Sequence, residues 1–254
     1  LPDEIEIIAT FSVGHDHIDI GAARERSIIV TNTPDVLTEA TADIAMLCLL
    51  GASRRVTEAQ AMLCQGRWQR WNPVELLGPG LQGKNLGIVG MGRIGRALAT
   101  RARAFGLRVH YHNRSRLAPE LEAGATYYET LETMLPEVQF LSLNCPATPE
   151  NAGMIDARRL ALLPRGAVLV NTARGPLVDD DALIAALESG RLFAAGLDVF
   201  ANEPAFDRRY LDLPNAFLLP HIGSSTVETR NAMGFRCLDN LDAHFAGKPP
   251  PNSV

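Results

Sequence analysis

The sequence is poor in cysteine, in long apolar runs and in positive charge, and each scarcity closes off a class of protein. Its four cysteines, Cys48, Cys64, Cys145 and Cys237, stand far apart, with no CxxC pair and no interleaved histidines. Neither a disulfide framework nor a metal site is therefore expected, and free thiols of this kind suit a reducing cytoplasm. The longest apolar stretch, Ile44 to Ala52, has nine residues, whereas a membrane-spanning helix needs about 20. It reads as a buried helix, and no membrane partner is expected. Basic residues are outnumbered, 24 Lys and Arg against 29 Asp and Glu, for a net charge of −5. A nucleic-acid surface needs clustered positive charge, so no nucleic-acid partner is expected either. The chain opens on Leu1, Pro2, Asp3 and Glu4, without an initiator Met and without the basic and apolar layout of a secretory signal.

What remains is an ordinary globular composition, 46% hydrophobic and 21% charged over 254 residues, enough for one large domain or two smaller ones. Short apolar runs alternate with longer helix-like stretches, the pattern of a parallel sheet covered on both faces by helices. Strands are expected at Ile5 to Thr10, Ile28 to Thr31, Leu86 to Val89, Arg108 to His112, Phe140 to Leu143, Ala167 to Asn171, Ala195 to Val199 and Ala216 to Leu219. Helix ends are marked by Thr148 with Pro149, by Asp179 and Gly190, and by Gly106. A terminal helix is expected from Thr226 to Phe245, stopped by Gly247 and Pro249.

Leu86 to Val89 runs straight into Gly90, Met91, Gly92, Arg93, Ile94 and Gly95, followed by the helical Arg96 to Phe105. This is the strand, GxGxxG, helix context of a dinucleotide site: Gly90 for the tight turn, Gly92 for backbone approach to a pyrophosphate, and Gly95 for close packing of helix on strand. The next strand would end, in an NAD site, in a carboxylate for the ribose 2′-hydroxyl. Here it ends in Asn113, Arg114, Ser115 and Arg116. Two guanidiniums without a carboxylate favour the 2′-phosphate of NADPH, with NADH still accommodated by Asn113. The alternative is that both arginines are solvated loop charges.

Three later strand ends carry polar residues at the sheet edge where ligands sit: Thr172, Ala173, Arg174 and Gly175; Phe200 to Pro204 with Glu203; and Pro220, His221, Ile222 and Gly223. An Arg fork can grip a carboxylate, and a His beside a Glu can donate a proton near neutral pH. Each residue taken alone also has a purely structural reading.

The ordered segments GMGRIG, NTARGPLVDDDALIAAL, AAGLDVFANEP and PHIGSST resemble the D-isomer-specific 2-hydroxyacid dehydrogenases over nearly the whole chain. TFSVGHDHID, TPDVLTEATAD and GRWQRWNP resemble most closely the branch of glyoxylate/hydroxypyruvate reductases and 2-ketogluconate reductases. The resemblance implies a reductase of small 2-keto acids in which Arg174 binds the substrate carboxylate, His221 protonates the keto oxygen and Glu203 keeps His221 charged and oriented. It implies substrate contacts from the backbone at Val13 and Gly14, and cofactor contacts from Arg93, Ile94, Cys145, Pro146, Thr172, Asp198 and Gly223. His15 follows Gly14 but reads as a solvent-facing loop histidine. Trp71 is the candidate to reach a neighbouring subunit's pocket and Trp68 to pack in a two-fold dimer.

The implied fold is a doubly wound, Rossmann-type α/β cofactor domain, Pro34 to Gly223. It is inserted into a smaller flavodoxin-like substrate domain, Leu1 to Thr33 with Ser224 to Val254, whose opening βα units are expected to be missing here. A phosphoglycerate-type dehydrogenase using NAD, and a dinucleotide-sensing corepressor on the same scaffold, are the competing readings. Arg114 and Arg116 weigh against the corepressor.

Overall fold

The computed structural model describes residues 1 to 254. In chain order the first elements are β1 (Ile7–Ala9), α1 (Ile20–Glu25), β2 (Ile29–Thr31), α2 (Thr38–Ser53), α3 (Val56–Cys64), β3 (Asn85–Val89), α4 (Arg93–Ala104) and β4 (Arg108–His112). There follow α5 (Pro119–Glu122), β5 (Thr126–Tyr128), α6 (Leu131–Met134), β6 (Phe140–Leu143), α7 (Ala157–Leu162) and β7 (Ala167–Asn171). The last are α8 (Asp180–Glu188), β8 (Leu192–Leu197), β9 (Ala216–Leu218) and α9 (Val227–Phe245). No helix is long and apolar enough to cross a membrane.

Two compact units result, residues 1–40 with 224–254, and residues 41–223. The division falls after Ala40, within α2, whereas the sequence places it at Pro34. In the smaller unit β1 and β2 pair in parallel, and Ala23, Ile28 and Val30 form a small core.

The larger unit is a seven-stranded sheet in the order β5-β4-β3-β6-β7-β8-β9, with every pairing parallel. Its side chains alternate between two cores, as strands buried on both faces require. Leu141, Leu143, Leu169 and Leu197 point into one, with Leu183 and Leu187 of α8. Phe140, Val168, Val170, Leu86 and Ile88 point into the other, with Leu98 of α4 and Leu49 of α2. The Ile44–Ala52 run is thus the buried helix expected. It lies close on the sheet: a Cβ added at Gly196 would come within 2.5 Å of the Cys48 carbonyl oxygen.

Three details differ from the sequence pattern. β5 was not anticipated, because an edge strand of Thr126, Tyr127 and Tyr128 makes no apolar run. β8 begins at Leu192 and ends at Leu197, which frees Asp198 and Val199 for the following turn. Thr148 and Pro149 open only a 3₁₀ turn, closed by Asn151, whose side chain accepts from the Thr148 amide and takes the place of a longer helix.

β4 and β5 lie to one side of β3 and β6 to β9 to the other. The strand order therefore reverses between β3 and β6, and the crevice outside their carboxyl ends is where such sheets bind ligands.

Candidate active site

At that crevice β3 runs into Gly90, whose φ of +94° is one that L side chains rarely adopt. A Cβ there would lie 2.6 Å from the Cys145 nitrogen, so the turn and the chain beyond β6 meet backbone to backbone. At Gly95 a Cβ would fall 2.3 Å from the Gly90 carbonyl oxygen, which lets α4 start directly against the turn. Gly92 differs, since a Cβ there meets nothing within 4 Å; the open space it faces suits a group from outside the chain. Gly92 is also the N-cap of α4 and offers no side-chain cap. The first-turn amides at Arg93 and Ile94, with the positive end of the helix dipole, are suited to an anion. Two buried oxygens just past β6 and β7, Asn144 Oδ1 and Thr172 Oγ1, have no hydrogen-bond partner. Turn, helix end and orphaned oxygens together fit a pyrophosphate-bearing dinucleotide.

The loop after β4 is pinned at both ends. Asn113 Oδ1 accepts from the Met91 amide at 2.7 Å, tying this loop to the glycine turn. Arg116 Nε and Nη2 donate to the two oxygens of Glu122 at 2.8 and 3.2 Å, and its guanidinium lies over the Tyr127 ring. Glu122 is buried and also accepts from the Tyr111 hydroxyl at 2.6 Å, while that hydroxyl accepts from the Leu117 amide. The Arg116 guanidinium, followed by the Tyr111 hydroxyl, holds the Glu122 carboxyl below the usual carboxylate range. Of the two arginines the sequence assigns to a phosphate, Arg116 therefore has a protein partner. Arg114 and Ser115 are exposed, and no ion pair engages Arg114.

The three chemical residues stand at the same edge of the sheet, each on a loop that begins where its strand stops. Beyond β7, Asn171 Nδ2 donates to the Arg174 carbonyl at 2.9 Å and its Oδ1 accepts from the Ala173 amide at 3.0 Å. Asn171 thereby shapes the turn that presents Arg174, a role its sequence position did not disclose. A Cβ at Gly175 would sit 1.8 Å from the Phe200 carbonyl carbon, so the Arg174 turn and the loop that carries Glu203 pack backbone on backbone. Within that second loop the Phe200 amide donates to Glu203 Oε1 at 2.6 Å. The other carboxylate oxygen, Oε2, lies 2.6 Å from His221 Nδ1.

His221 has a φ of +54°, a left-handed conformation that costs a non-glycine residue of order 1–3 kcal/mol and persists only where the surroundings enforce it. Asp198 enforces it. Its carbonyl accepts from the His221 amide at 2.9 Å, and its carboxylate accepts from the Ile222 and Gly223 amides, both at 2.8 Å. Burial pushes the Asp198 carboxyl above its ordinary range, opposed by those amides and by nearby His221. The arrangement points His221 Nδ1 at Glu203 and leaves Nε2 at the other end of a half-exposed ring. An imidazole so held can exchange a proton through Nε2.

The other expected residues fall as follows. Cys145 backs the glycine turn through its backbone, and burial pushes its thiol up to about 11, the state of an inert cysteine rather than a nucleophile. Pro146 follows it on the surface. Val13 and Gly14 lie in the smaller unit, in a loop joined to β2 by Asn32. Trp68 is 56% and Trp71 77% exposed, in a stretch that also exposes Leu63, Val74 and Leu77.

Residues 46–223 match the family model described as D-isomer specific 2-hydroxyacid dehydrogenase, NAD binding domain. The chain is 47% identical over 249 residues to a glycerate dehydrogenase of Hyphomicrobium methylovorum, covering 97% of this chain and 77% of that enzyme. It is 48% identical over 256 residues to a glyoxylate reductase of Thermococcus litoralis, covering 99% and 77%. Among solved structures, an NADPH-dependent glyoxylate/hydroxypyruvate reductase from Sinorhizobium meliloti, in complex with NADP and malonate, superposes with a TM-score of 0.92 at 42% identity. That match covers 99% of this chain and 78% of the other.

Proposed function

Because this chain belongs to the D-isomer-specific 2-hydroxyacid dehydrogenase family, we propose that it reduces small 2-keto acids to D-2-hydroxy acids, with NADPH preferred to NADH. As a family member it is an oxidoreductase with a nicotinamide-dinucleotide-binding domain. The substrates proposed are glyoxylate, hydroxypyruvate and 2-ketogluconate, and the compartment the cytoplasm. The observation that carries the reading is the 2.6 Å contact of His221 Nδ1 with Glu203 Oε2 on the same sheet edge as Arg174.

Gly90, Gly92, Gly95 and the first-turn amides at Arg93 and Ile94 would hold the pyrophosphate. Asn113, Arg114 and Ser115 would face the adenosine ribose and its phosphate, with Cys145, Pro146, Thr172, Asp198 and Gly223 along the rest of the cofactor. Bound there, a reduced nicotinamide would supply the hydride for reduction of the keto carbon. Arg174 binds the substrate carboxylate and draws electron density toward the keto oxygen. His221 donates the proton from Nε2 to that oxygen, leaving a neutral ring whose Nδ1 stays on Glu203. Glu203 is a positioning residue that fixes both the ring's orientation and the nitrogen that gives up the proton. The amides at Val13 and Gly14, in the smaller unit, would offer further donors to a carboxylate. Two of the relatives are named glyoxylate reductase and glyoxylate/hydroxypyruvate reductase, which supports glyoxylate and hydroxypyruvate as substrates.

We assign the exposed stretch from Leu63 to Leu77 to a homodimer contact in which Trp68 packs and Trp71 reaches the neighbouring copy's pocket; apolar surface of this extent in one segment suits association. Sedimentation equilibrium at micromolar protein is expected to give twice the chain mass, and a monomer would remove this part. The reaction itself is tested by chiral chromatography of the product made from hydroxypyruvate and NADPH. D-glycerate is expected, whereas L-glycerate, or no glycerate from a protein that binds NADPH, would refute the assignment.

A further inference from the structure

The Val13–Gly14 loop shows an uneven use of its peptide groups. The Ser12 carbonyl accepts from the Thr33 amide at 2.9 Å, the Val13 carbonyl from Asn32 Nδ2 at 2.8 Å, and the Gly14 carbonyl from the Ser12 hydroxyl at 2.5 Å. Three consecutive carbonyls are thus engaged. The amides on the other side of those same peptides, at Val13, Gly14 and His15, donate to no protein group. A peptide whose carbonyl accepts a hydrogen bond is a better donor at its nitrogen, so the loop holds three consecutive strengthened donors.

The third of these bonds belongs to a chain whose direction follows from counting hydrogens. Ser12 has one hydroxyl hydrogen, and the Gly14 carbonyl can only accept, so that hydrogen is committed to Gly14. Ser12 Oγ lies 3.0 Å from Thr10 Oγ1, and in this contact Ser12 can only accept. Thr10 therefore donates to Ser12 and must itself accept from its remaining neighbour, His17 Nε2, at 3.0 Å. The order is His17 Nε2–H to Thr10, Thr10 to Ser12, and Ser12 to the Gly14 carbonyl. His17 must carry a hydrogen on Nε2 for the chain to be complete.

We propose that His17 is a positioning residue for carboxylate binding. Through Thr10 and Ser12 it fixes the Gly14 carbonyl, and with it the donor set formed by the amides of Val13, Gly14 and His15. The inference rests on the reading that this loop takes the substrate carboxylate, and it adds the side chain that keeps the loop in its receptive shape. His15 enters through its backbone amide and not through its ring.

Oxalate, a carboxylate that cannot be reduced, tests the chain separately from turnover. Its affinity for the NADPH-loaded protein is measured by calorimetry for the parent and for His17→Leu, His17→Gln and Ser12→Ala. His17→Leu and Ser12→Ala are each expected to weaken oxalate by about 3- to 10-fold, the scale of one hydrogen bond. Their double variant should be no worse than Ser12→Ala alone, because the two act in series, and NADPH affinity should stay at the parent value. Gln at position 17 offers an N–H donor of similar reach and should recover most of the loss. Unchanged affinity in His17→Leu, a Gln variant as poor as Leu, or no oxalate binding by the parent would overturn the proposal. Oxalate binding that follows the chain, in a protein that reduces no keto acid, would instead remove the reductase reading and leave the chain standing.

Discussion

His221→Asn is expected to lower kcat by about 10²- to 10⁴-fold, the range contributed by a positioned proton donor, while leaving NADPH affinity unchanged. Asparagine is the informative replacement because position 221 holds a φ of +54°, which Asn tolerates better than most residues. The turn that Asp198 builds through the Ile222 and Gly223 amides should therefore survive, and the loss should report the missing donor at Nε2. The loss should fall on kcat more than on KM for the keto acid, since proton delivery is needed in the transition state and not in the ground state. Glu203→Gln is expected to cost less, because the amide can still hold the ring although it lacks the carboxylate charge. A His221→Asn enzyme with kcat within about tenfold of the parent, below the range for general acid catalysis, would exclude His221 as the proton donor.

The second large effect separates the two arginines of the loop after β4. Arg114→Ala is expected to raise KM for NADPH by about 10- to 100-fold, the scale of a charged hydrogen bond lost to a phosphate, and to leave KM for NADH nearly unchanged. Arg116→Ala should act differently. Arg116 is bound to Glu122 and lies over Tyr127, so its removal loosens the whole segment that Tyr111 and Glu122 brace, and both cofactors should suffer alike. Steady-state kinetics with each cofactor decides the matter. Equal losses for NADPH and NADH in Arg114→Ala would remove the 2′-phosphate assignment, and a selective NADPH loss in Arg116→Ala would place the phosphate on Arg116 instead.

The division of labour between those arginines shows where the sequence stops being informative. The glycine turn was legible because strand, three glycines and helix are contiguous, and Gly90 and Gly95 answer to close approaches that the structure displays, while Gly92 faces open space. The central strands were legible because residues such as Phe140 to Leu143 are buried on both faces and must read as continuous apolar runs. β5 was not, since an edge strand of Thr and two Tyr carries no such pattern.

For the site, the order of Arg174, Glu203 and His221 at three successive strand ends could be read from spacing and from family resemblance. Their supports could not. Asn171 beneath Arg174, Glu122 behind Arg116 and His17 beside Thr10 act through contacts between residues that nothing in the local pattern relates. Glu122 read as an ordinary acidic residue of a short helix, yet it is buried and takes three donors from Arg116 and Tyr111. Asn171 ended an apolar strand without distinction, yet both ends of its amide shape the turn above it.

The measurement that bears most directly on the central claim follows the near-ultraviolet absorbance of reduced nicotinamide when the purified protein meets glyoxylate or hydroxypyruvate, with NADPH and NADH compared. Consumption is expected with either keto acid and should be faster with NADPH. A protein that binds the dinucleotide but oxidises none of it in the presence of glyoxylate, hydroxypyruvate or 2-ketogluconate would contradict the assignment of Arg174, Glu203 and His221 to keto-acid reduction.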